Sequence, residues 1–491
     1  MRKAVLAVAL GLLLLGAILF YRAAQFTSRQ VTGPPVAPFV LDTAGAARRL
    51  AGALTFRTIS YQDSASFNGN GGAEFSRFQD YLRRSFPNLH ARLRREVTNG
   101  YSLLYEWRGS DTALKPILLL AHQDVVPIEP GTESRWTEPP FGGRVADGYV
   151  WGRGAMDDKG NLMAVLEAVE RLVSDDATPR RTIYLAFGHD EEVGGMHGAA
   201  RTAALLASRG VQLEYVLDEG GAITTGLVPG ISGPVALVGI AEKGYVSLEL
   251  TVQAEGGHSS MPPPQTATGI LSAAVARLET HQMPRHIRGA TAAMLDYIGP
   301  EMAFSRRLVL SNRWLFGRLI ERQFGATPSG NAMLRTTTAP TILAAGVKDN
   351  VLPSTARAVV NFRILPGDSV AGVLTHTRLT IDDPRVTIRV MSESANEPSP
   401  VSPVGVEFLS LQATFRQVAP GVIVTPWLVV GGTDSRYFDT LTPNVYRTGA
   451  LGLSATDLAR IHGTNERVAI TDYARNITFY VQLIRNSALA P

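Results

Sequence analysis

Ile117-Leu118-Leu119-Leu120-Ala121-His122-Gln123-Asp124 is the stretch whose reading decides the fold. Five apolar residues run without a break and end on a histidine and an aspartate. A run this short, apolar on both faces, fits a parallel-sheet strand covered on both sides. Thr182-Ile183-Tyr184-Leu185-Ala186-Phe187 and Tyr215-Val216-Leu217 repeat the pattern. Between the first two, Leu162, Val165, Leu166, Val169, Leu172 and Val173 recur at helical spacing over 161–174. Strand, helix and strand in that order predict a βαβ unit and an α/β layer structure.

Further along the chain the period changes. Val246, Leu248, Leu250 and Val252 alternate with Ser247, Glu249, Thr251 and Gln253. Ala358, Val360, Phe362 and Ile364 alternate with Arg357, Val359, Asn361 and Arg363, and Val386, Ile388 and Val390 alternate with Arg385, Thr387 and Arg389. Strands of period two with one wet face predict an antiparallel sheet. Helices are expected with them over 267–280 and 370–379. The Ser-Pro-rich stretch 394–403 returns the chain, and 422–424 and 444–446 read as further strands of the first sheet. The expected organisation is a leader over 1–22, a linker over 23–44 that holds Pro34, Pro35 and Pro38, and a main domain from 45–242 and 398–491. A second, α+β domain over 243–397 is inserted into the main one.

The chain has 491 residues, 45% apolar and 18% charged, which is a globular composition. It has no cysteine. That excludes disulfides, thiolate catalysis and cysteine-held zinc, so any metal is held by carboxylates and the nine histidines. The net charge of +4 comes mostly from Arg2, Lys3 and Arg22 in the leader. No basic stripe remains, and no nucleic-acid partner is expected. From Ala4 to Phe20 the leader is apolar throughout. At about 1.5 Å per residue it spans roughly 25 Å, close to a bilayer core of about 30 Å. It reads as a signal anchor or a signal peptide. Arg2 and Lys3 ahead of it place the body outside the cytoplasm, exported or membrane-anchored.

Chemistry gathers at the strand ends. His122 and Asp124 follow the first buried strand, Glu191 and Glu192 the second, and Asp218 ends the third. Ligands of open α/β sheets bind at the carboxyl ends of strands. Carboxylates packed there repel one another, and one or two divalent metals relieve that repulsion. In His122-Gln123-Asp124 the aspartate faces the same side as the histidine and can fix its tautomer. Gly152-Arg153-Gly154-Ala155-Met156-Asp157-Asp158 reads first as a helix start, and its glycines tilt it toward a site. Of the Glu191-Glu192 pair, one can hold metal while the other acts as general base; spacing leaves open which. His258, in Gly256-Gly257-His258-Ser259-Ser260, and His462, before Gly463-Thr464-Asn465-Glu466, are further loop candidates.

These motifs, in this order, resemble the M20 family of metallopeptidases. Leu119 to Pro127, Gly152 to Gly160, His189 to Gly195, Gly256 to Pro262, Asn350-Val351-Leu352-Pro353 and Gly431 to Arg436 carry the likeness. Leu217-Asp218-Glu219-Gly220-Gly221 and the leader are most similar to the carboxypeptidase S and PM20D1 branch. The resemblance implies an α/β, zinc-peptidase-like catalytic domain with a mixed, mainly parallel sheet, plus an inserted α+β lid with an antiparallel sheet. It implies two zinc ions, or other divalent metals: His122 and Asp218 on one, Glu192 and His462 on the other, and Asp157 between them. Asp218 is followed by Glu219, so that ligand is ambiguous by one residue. Asp124 would orient His122, Glu191 would be the general base, and His258 would stabilise the oxyanion, often of a partner subunit in a homodimer. Arg363, Asn350 and, more weakly, Arg436 would bind substrate.

The implied activity is cleavage of an amide bond that releases an amino acid with a free carboxylate. Peptides are the first substrate class, which makes the chain a carboxypeptidase. N-acyl, including fatty-acyl, amino acids are the alternative, as an amidohydrolase or synthase. A metal aminopeptidase and a binding protein on a dead hydrolase scaffold are more distant readings. Compact relatives lack an apolar insertion at about 282–340, with Leu295, Ile298, Trp314, Phe316 and Leu319. It reads first as extra lid core or an altered dimer contact, and otherwise as an apolar wall for an acyl chain or a membrane surface.

Overall fold

The computed structural model describes residues 1–33, 39–61, 72–391 and 395–489. The expected linker prolines Pro34, Pro35 and Pro38 lie outside the described residues, as does Ser394 at the start of the return stretch. In chain order the strands are β1 (Arg94–Thr98), β2 (Ser102–Trp107), β3 (Ile117–His122), β4 (Arg144–Ala146), β5 (Tyr149–Trp151), β6 (Ile183–Gly188) and β7 (Val216–Asp218). They continue with β8 (Ile223–Thr224), β9 (Val235–Glu242), β10 (Gly244–Gln253), β11 (Gly257–His258), β12 (Thr337–Ala345) and β13 (Val351–Leu352). The last are β14 (Thr355–Ile364), β15 (Val386–Val390), β16 (Ile423–Val429), β17 (Val445–Arg447), β18 (Gly452–Leu453) and β19 (Arg467–Ala469).

A ten-stranded sheet runs β1-β2-β6-β3-β7-β17-β9-β8-β18, with β16 also on β9. Its centre is parallel: β6 with β3, β3 with β7, β7 with β17, and β9 with β16. All six residues of β3 are buried, as an unbroken apolar run requires. The longer helices include α1 (Arg2–Gln25), α2 (Lys159–Ser174), α3 (Ala267–Thr280), α4 (Gly289–Ile298), α5 (Phe304–Ser311), α6 (Arg313–Phe324), α7 (Pro328–Leu334), α8 (Val370–Ile381) and α9 (Ile470–Ala488). Helix α2 packs on β3 and on α9, and twelve of its sixteen residues are buried. Asn476 on α9 donates to Asn161 on α2 at 2.7 Å and accepts the Ala450 N–H. The polar ends between these helices are thereby satisfied.

The second sheet, β12-β14-β10-β15, is antiparallel throughout. Val246, Leu248, Leu250 and Val252 of β10 are wholly buried against Ile270, Leu271 and Ala274 of α3 and Val373 of α8. Glu249 on the other face takes Arg357 and Arg389 as ion-pair partners. Thr266 and Ser369 cap α3 and α8 by accepting the N–H of Gly269 and Gly372, each at 3.1 Å. The fold is thus a mixed, mainly parallel sheet joined to separate antiparallel sheets.

The crossing between the large sheets is short. Only Lys243 separates β9 from β10. The returning chain lies beside it, with Asn396 bridging Tyr245 and the Ser399 N–H donating to the Glu242 carbonyl at 3.2 Å. The 282–340 insertion forms α4 to α7. Its packing corrects the expectation of extra lid core. Helix α4 lies on β16 and β9, and Met294, Leu295, Tyr297 and Ile298 join the core of the ten-stranded sheet.

Candidate metal centre

Three neighbouring strands aim their carboxyl ends at one place. In the order β6-β3-β7, β3 delivers His122, the turn after β6 delivers Glu191 and Glu192, and the turn after β7 delivers Glu219. The loop between β5 and α2 brings Asp157, and the loop before β19 brings His462. The Asp157–Asp158 peptide is cis.

Two groups of ligand atoms result, each within 4.8 Å: His122 with Asp157 and Glu219, and Asp157 with Glu192 and His462. Asp157 belongs to both. Its Oδ1 lies 3.0 Å from His122 Nε2, and its Oδ2 lies 3.0 Å from His462 Nε2. Glu192 Oε2 lies 3.3 Å from the same His462 nitrogen. Asp124 stands behind the group. It faces His122 Nδ1 at 3.3 Å, and its two oxygens accept the N–H of Glu191 and Glu192 at 3.2 and 3.1 Å. The Asp124 carbonyl lies closer still to Nδ1, at 3.0 Å, so one buried residue holds the imidazole through its backbone and the turn that carries the glutamate pair through its carboxylate.

The site carries far more acid than base. Burial pushes Glu219 well above the usual carboxylate range, and Asp157 and Asp158 push it further. Burial also raises Glu191; His122 offsets part of this, while Asp434, Glu192 and Asp157 add to it. His462 moves the other way, held up at about 10 by Asp157 and Glu192. Glu192 Oε1 is buried without a hydrogen-bond partner among the described residues. Two imidazoles and three carboxylates with an orphaned oxygen form a donor set of the kind zinc takes, and cations there would neutralise the mutual repulsion of the acids.

Of the ambiguous pair Asp218 and Glu219, Asp218 lies outside both groups. Asp218 is buried, and its oxygens are occupied by the backbone N–H of Glu219 at 2.9 Å and of Ser435 at 2.7 Å. It braces the turn, while the next side chain, Glu219, reaches the metal group. His258 and Asn350 lie together elsewhere. His258 is exposed on β11 and takes the N–H of Ser260 on its own Nδ1, and the Asn350 carbonyl accepts the Ser259 N–H. Among the described residues, no hydrogen bond or ion pair joins either to the metal group. Arg363 on β14 stacks over Tyr245 at 4.8 Å. Burial lowers its pKa, and nearby Arg436 lowers it further. Arg436 reaches the same region from the turn after β16 and donates to the Gly194 carbonyl at 2.8 Å. Among the described residues neither arginine forms an ion pair. Sequence reasoning missed one pair altogether. Arg153 and Glu466 are both fully buried and meet at 2.6 Å. Glu466 accepts the N–H of Met156 at 2.9 Å, and Arg153 donates to the carbonyl of His462 at 3.1 Å. The pair clamps the Asp157 loop to the His462 loop.

The profile of peptidase family M20/M25/M40 matches residues 118–486, three quarters of the chain. The chain belongs to this family. It is 42% identical over 472 residues to "Probable carboxypeptidase S-like 2" of Dictyostelium discoideum, covering 94% of this chain and 90% of that protein. It is 43% identical over 443 residues to the "N-fatty-acyl-amino acid synthase/hydrolase PM20D1" of Xenopus tropicalis, covering 89% and 85%. Among solved structures, the M20 family metallo-carboxypeptidase Sso-CP2 from Sulfolobus solfataricus superimposes with a TM-score of 0.64 at 18% identity, over 91% of this chain and 99% of that one. The M20 chain described here is therefore an enzyme of the metallopeptidase type, with the family's fold and its dependence on metal.

Proposed function

We propose that this enzyme cleaves an amide bond and releases an amino acid that bears a free carboxylate. The observation that carries the reading is the unpaired Arg363, set beside Arg436, in an enzyme whose acidic centre is built around Asp157. Two guanidinium groups that form no ion pair among the described residues favour a carboxylate ligand, which a planar fork binds in two-point fashion. His122, Asp157 and Glu219 would hold one zinc, and Asp157, Glu192 and His462 the other. Bound there, the ions would supply Lewis acidity toward the scissile carbonyl and the attacking water.

Glu191 is the general base in this reading. Its proton affinity, raised by burial, suits a group that must take a proton and give it back. It takes one proton from water as the water oxygen bonds to the carbonyl carbon. It then passes that proton to the nitrogen as the C–N bond breaks. Asp124 keeps Glu191 in place through its backbone N–H and keeps His122 in one tautomer. His258 and Asn350, on their exposed lid tip, are proposed to serve the oxyanion of a second copy of the chain. The leader is proposed to be a signal anchor that holds the body on the membrane, outside the cytoplasm.

Peptides are the first substrate class. Fatty-acyl amino acids are the second, favoured by the 43% identity to the synthase/hydrolase. Zinc-loaded enzyme given dipeptides and N-acyl amino acids of short and long chain, with free and amidated carboxylates, tests the proposal. Amino acid release only from free carboxylates is expected. Equal release from amidated substrates would overturn the clamp. Release from long-chain substrates alone would move the enzyme to the second class.

A further inference from the structure

Helix α1 is apolar enough to span a bilayer, and the residues of its most apolar stretch are not buried against the protein. Its last turns, however, are docked. Phe20 meets Phe304 of α5 at 5.5 Å between ring centres. Arg22 donates to the Ser311 carbonyl at 3.2 Å, and Asn312 donates to the Leu19 carbonyl at 3.1 Å. The point where α1 leaves the protein is therefore fixed against α5, and α5 packs on α6.

Helix α6 is two-sided. Ile320 is buried, and Phe316 and Phe324 pack against the main core. On its outer side Trp314, Leu315 and Leu319 are 59%, 43% and 43% exposed. Arg318 and Arg322 are exposed among them and form no ion pair among the described residues. At about 100° per residue these five positions fall within one arc of roughly 140°. From Phe304 to Phe324 the chain holds five arginines and one glutamate. A tryptophan and leucines interleaved with unpaired arginines on one exposed helix face is the composition of a helix that lies in a membrane interface. Arginine stems can rest on apolar surface while their heads reach phosphate.

We propose that α5 and α6 form a platform that lies on the bilayer entered by α1. Trp314, Leu315 and Leu319 sit in the boundary between headgroups and acyl chains, and Arg318 and Arg322 take anionic phospholipid headgroups. The inference rests on the anchor reading of α1. It gives the insertion a task that its inner face, already packed on the main core, leaves open: it holds the catalytic body against the membrane in one orientation.

The absence of cysteine makes the test clean, because a single introduced thiol is the only one present. The full chain carrying L319C with a nitroxide label is placed in nanodiscs, either of zwitterionic lipid or with one third anionic lipid. A second chain carries the label at L379C, on α8, where Leu379 is 76% exposed. The label at 319 is expected to become accessible to oxygen and shielded from an aqueous nickel chelate in anionic discs, and the label at 379 to stay aqueous. R318E combined with R322E should return the 319 label to water while the chain still floats with vesicles. Flotation with a 319 label as aqueous as that at 379 would overturn the platform alone. Failure to float would overturn the anchor reading and the platform with it. Shielding from both reagents in detergent solution would assign the face to a protein partner instead.

Discussion

Glu466→Gln isolates the clamp between the two metal-bearing loops. Arg153 and Glu466 expose 2% and 0% of their side chains. Removing one charge of such a pair leaves the other buried and unpaired, at a cost of about 3–5 kcal/mol. The value should fall near about 3 kcal/mol, because Arg153 keeps the carbonyls of His462 and Gly463, each at 3.1 Å. The glutamine cannot satisfy both neighbours. Its amide N–H must face either Arg153 or the Met156 N–H, and each of those is itself a donor. The Asp157 and His462 loops are thereby freed, and outer partners of metal ligands are worth about 10–100-fold in metal affinity. Zinc competition against a chromophoric chelator, with urea unfolding of the same samples, reads both effects. Glu167→Gln is the control: Glu167 pairs with Arg49, which is 33% exposed and distant in function. Because Glu167 is only 5% exposed and bound at two points, the change should cost about 2 kcal/mol and leave zinc affinity unchanged. If Glu466→Gln folds with altered stability yet binds zinc as tightly as the parent, the clamp does not position the metal loops.

Glu191→Gln should keep both zinc equivalents and lower kcat by about 10²–10⁴-fold; turnover at the parental rate would remove Glu191 from the chemistry. Glu219→Ala should lose one zinc equivalent by elemental analysis, while retention of both would return the ligand role to Asp218. Arg363→Met should raise KM for substrates with a free carboxylate by about 30-fold, the equivalent of about 2 kcal/mol for a charge-assisted contact, and leave amidated analogues unaffected. A mixture of Glu191→Gln and His258→Ala chains, each inactive alone, should recover about one quarter of parental activity if His258 serves a symmetric partner. No recovery, with dimers present by sedimentation, would place His258 outside the reaction.

Most of the architecture was legible because burial and period are written directly in the residues. The run 117–121 became β3, the alternation from Val246 became β10, and the helix expected over 267–280 spans Ala267–Thr280. What stayed hidden depends on which way a side chain points after a strand ends. Asp218 and Glu219 are adjacent acids on opposite sides of the chain, and only the turn that seats Ser435 on Asp218 shows which one faces the metal group. Arg153 and Glu466 are 313 residues apart, and nothing local marks them as partners. A glycine on each side of the arginine was the available signal. The insertion misled for a related reason: its apolar residues announce burial but not the surface they bury against.

The central claim is that one carboxylate, Asp157, joins two metal positions. Anomalous diffraction at the zinc edge from crystals of the zinc-loaded enzyme tests it directly. Two peaks about 3.5–4 Å apart are expected, one bounded by His122 and Glu219, the other by Glu192 and His462, with Asp157 between them. A single peak, or a peak coordinated by Asp218, would contradict it.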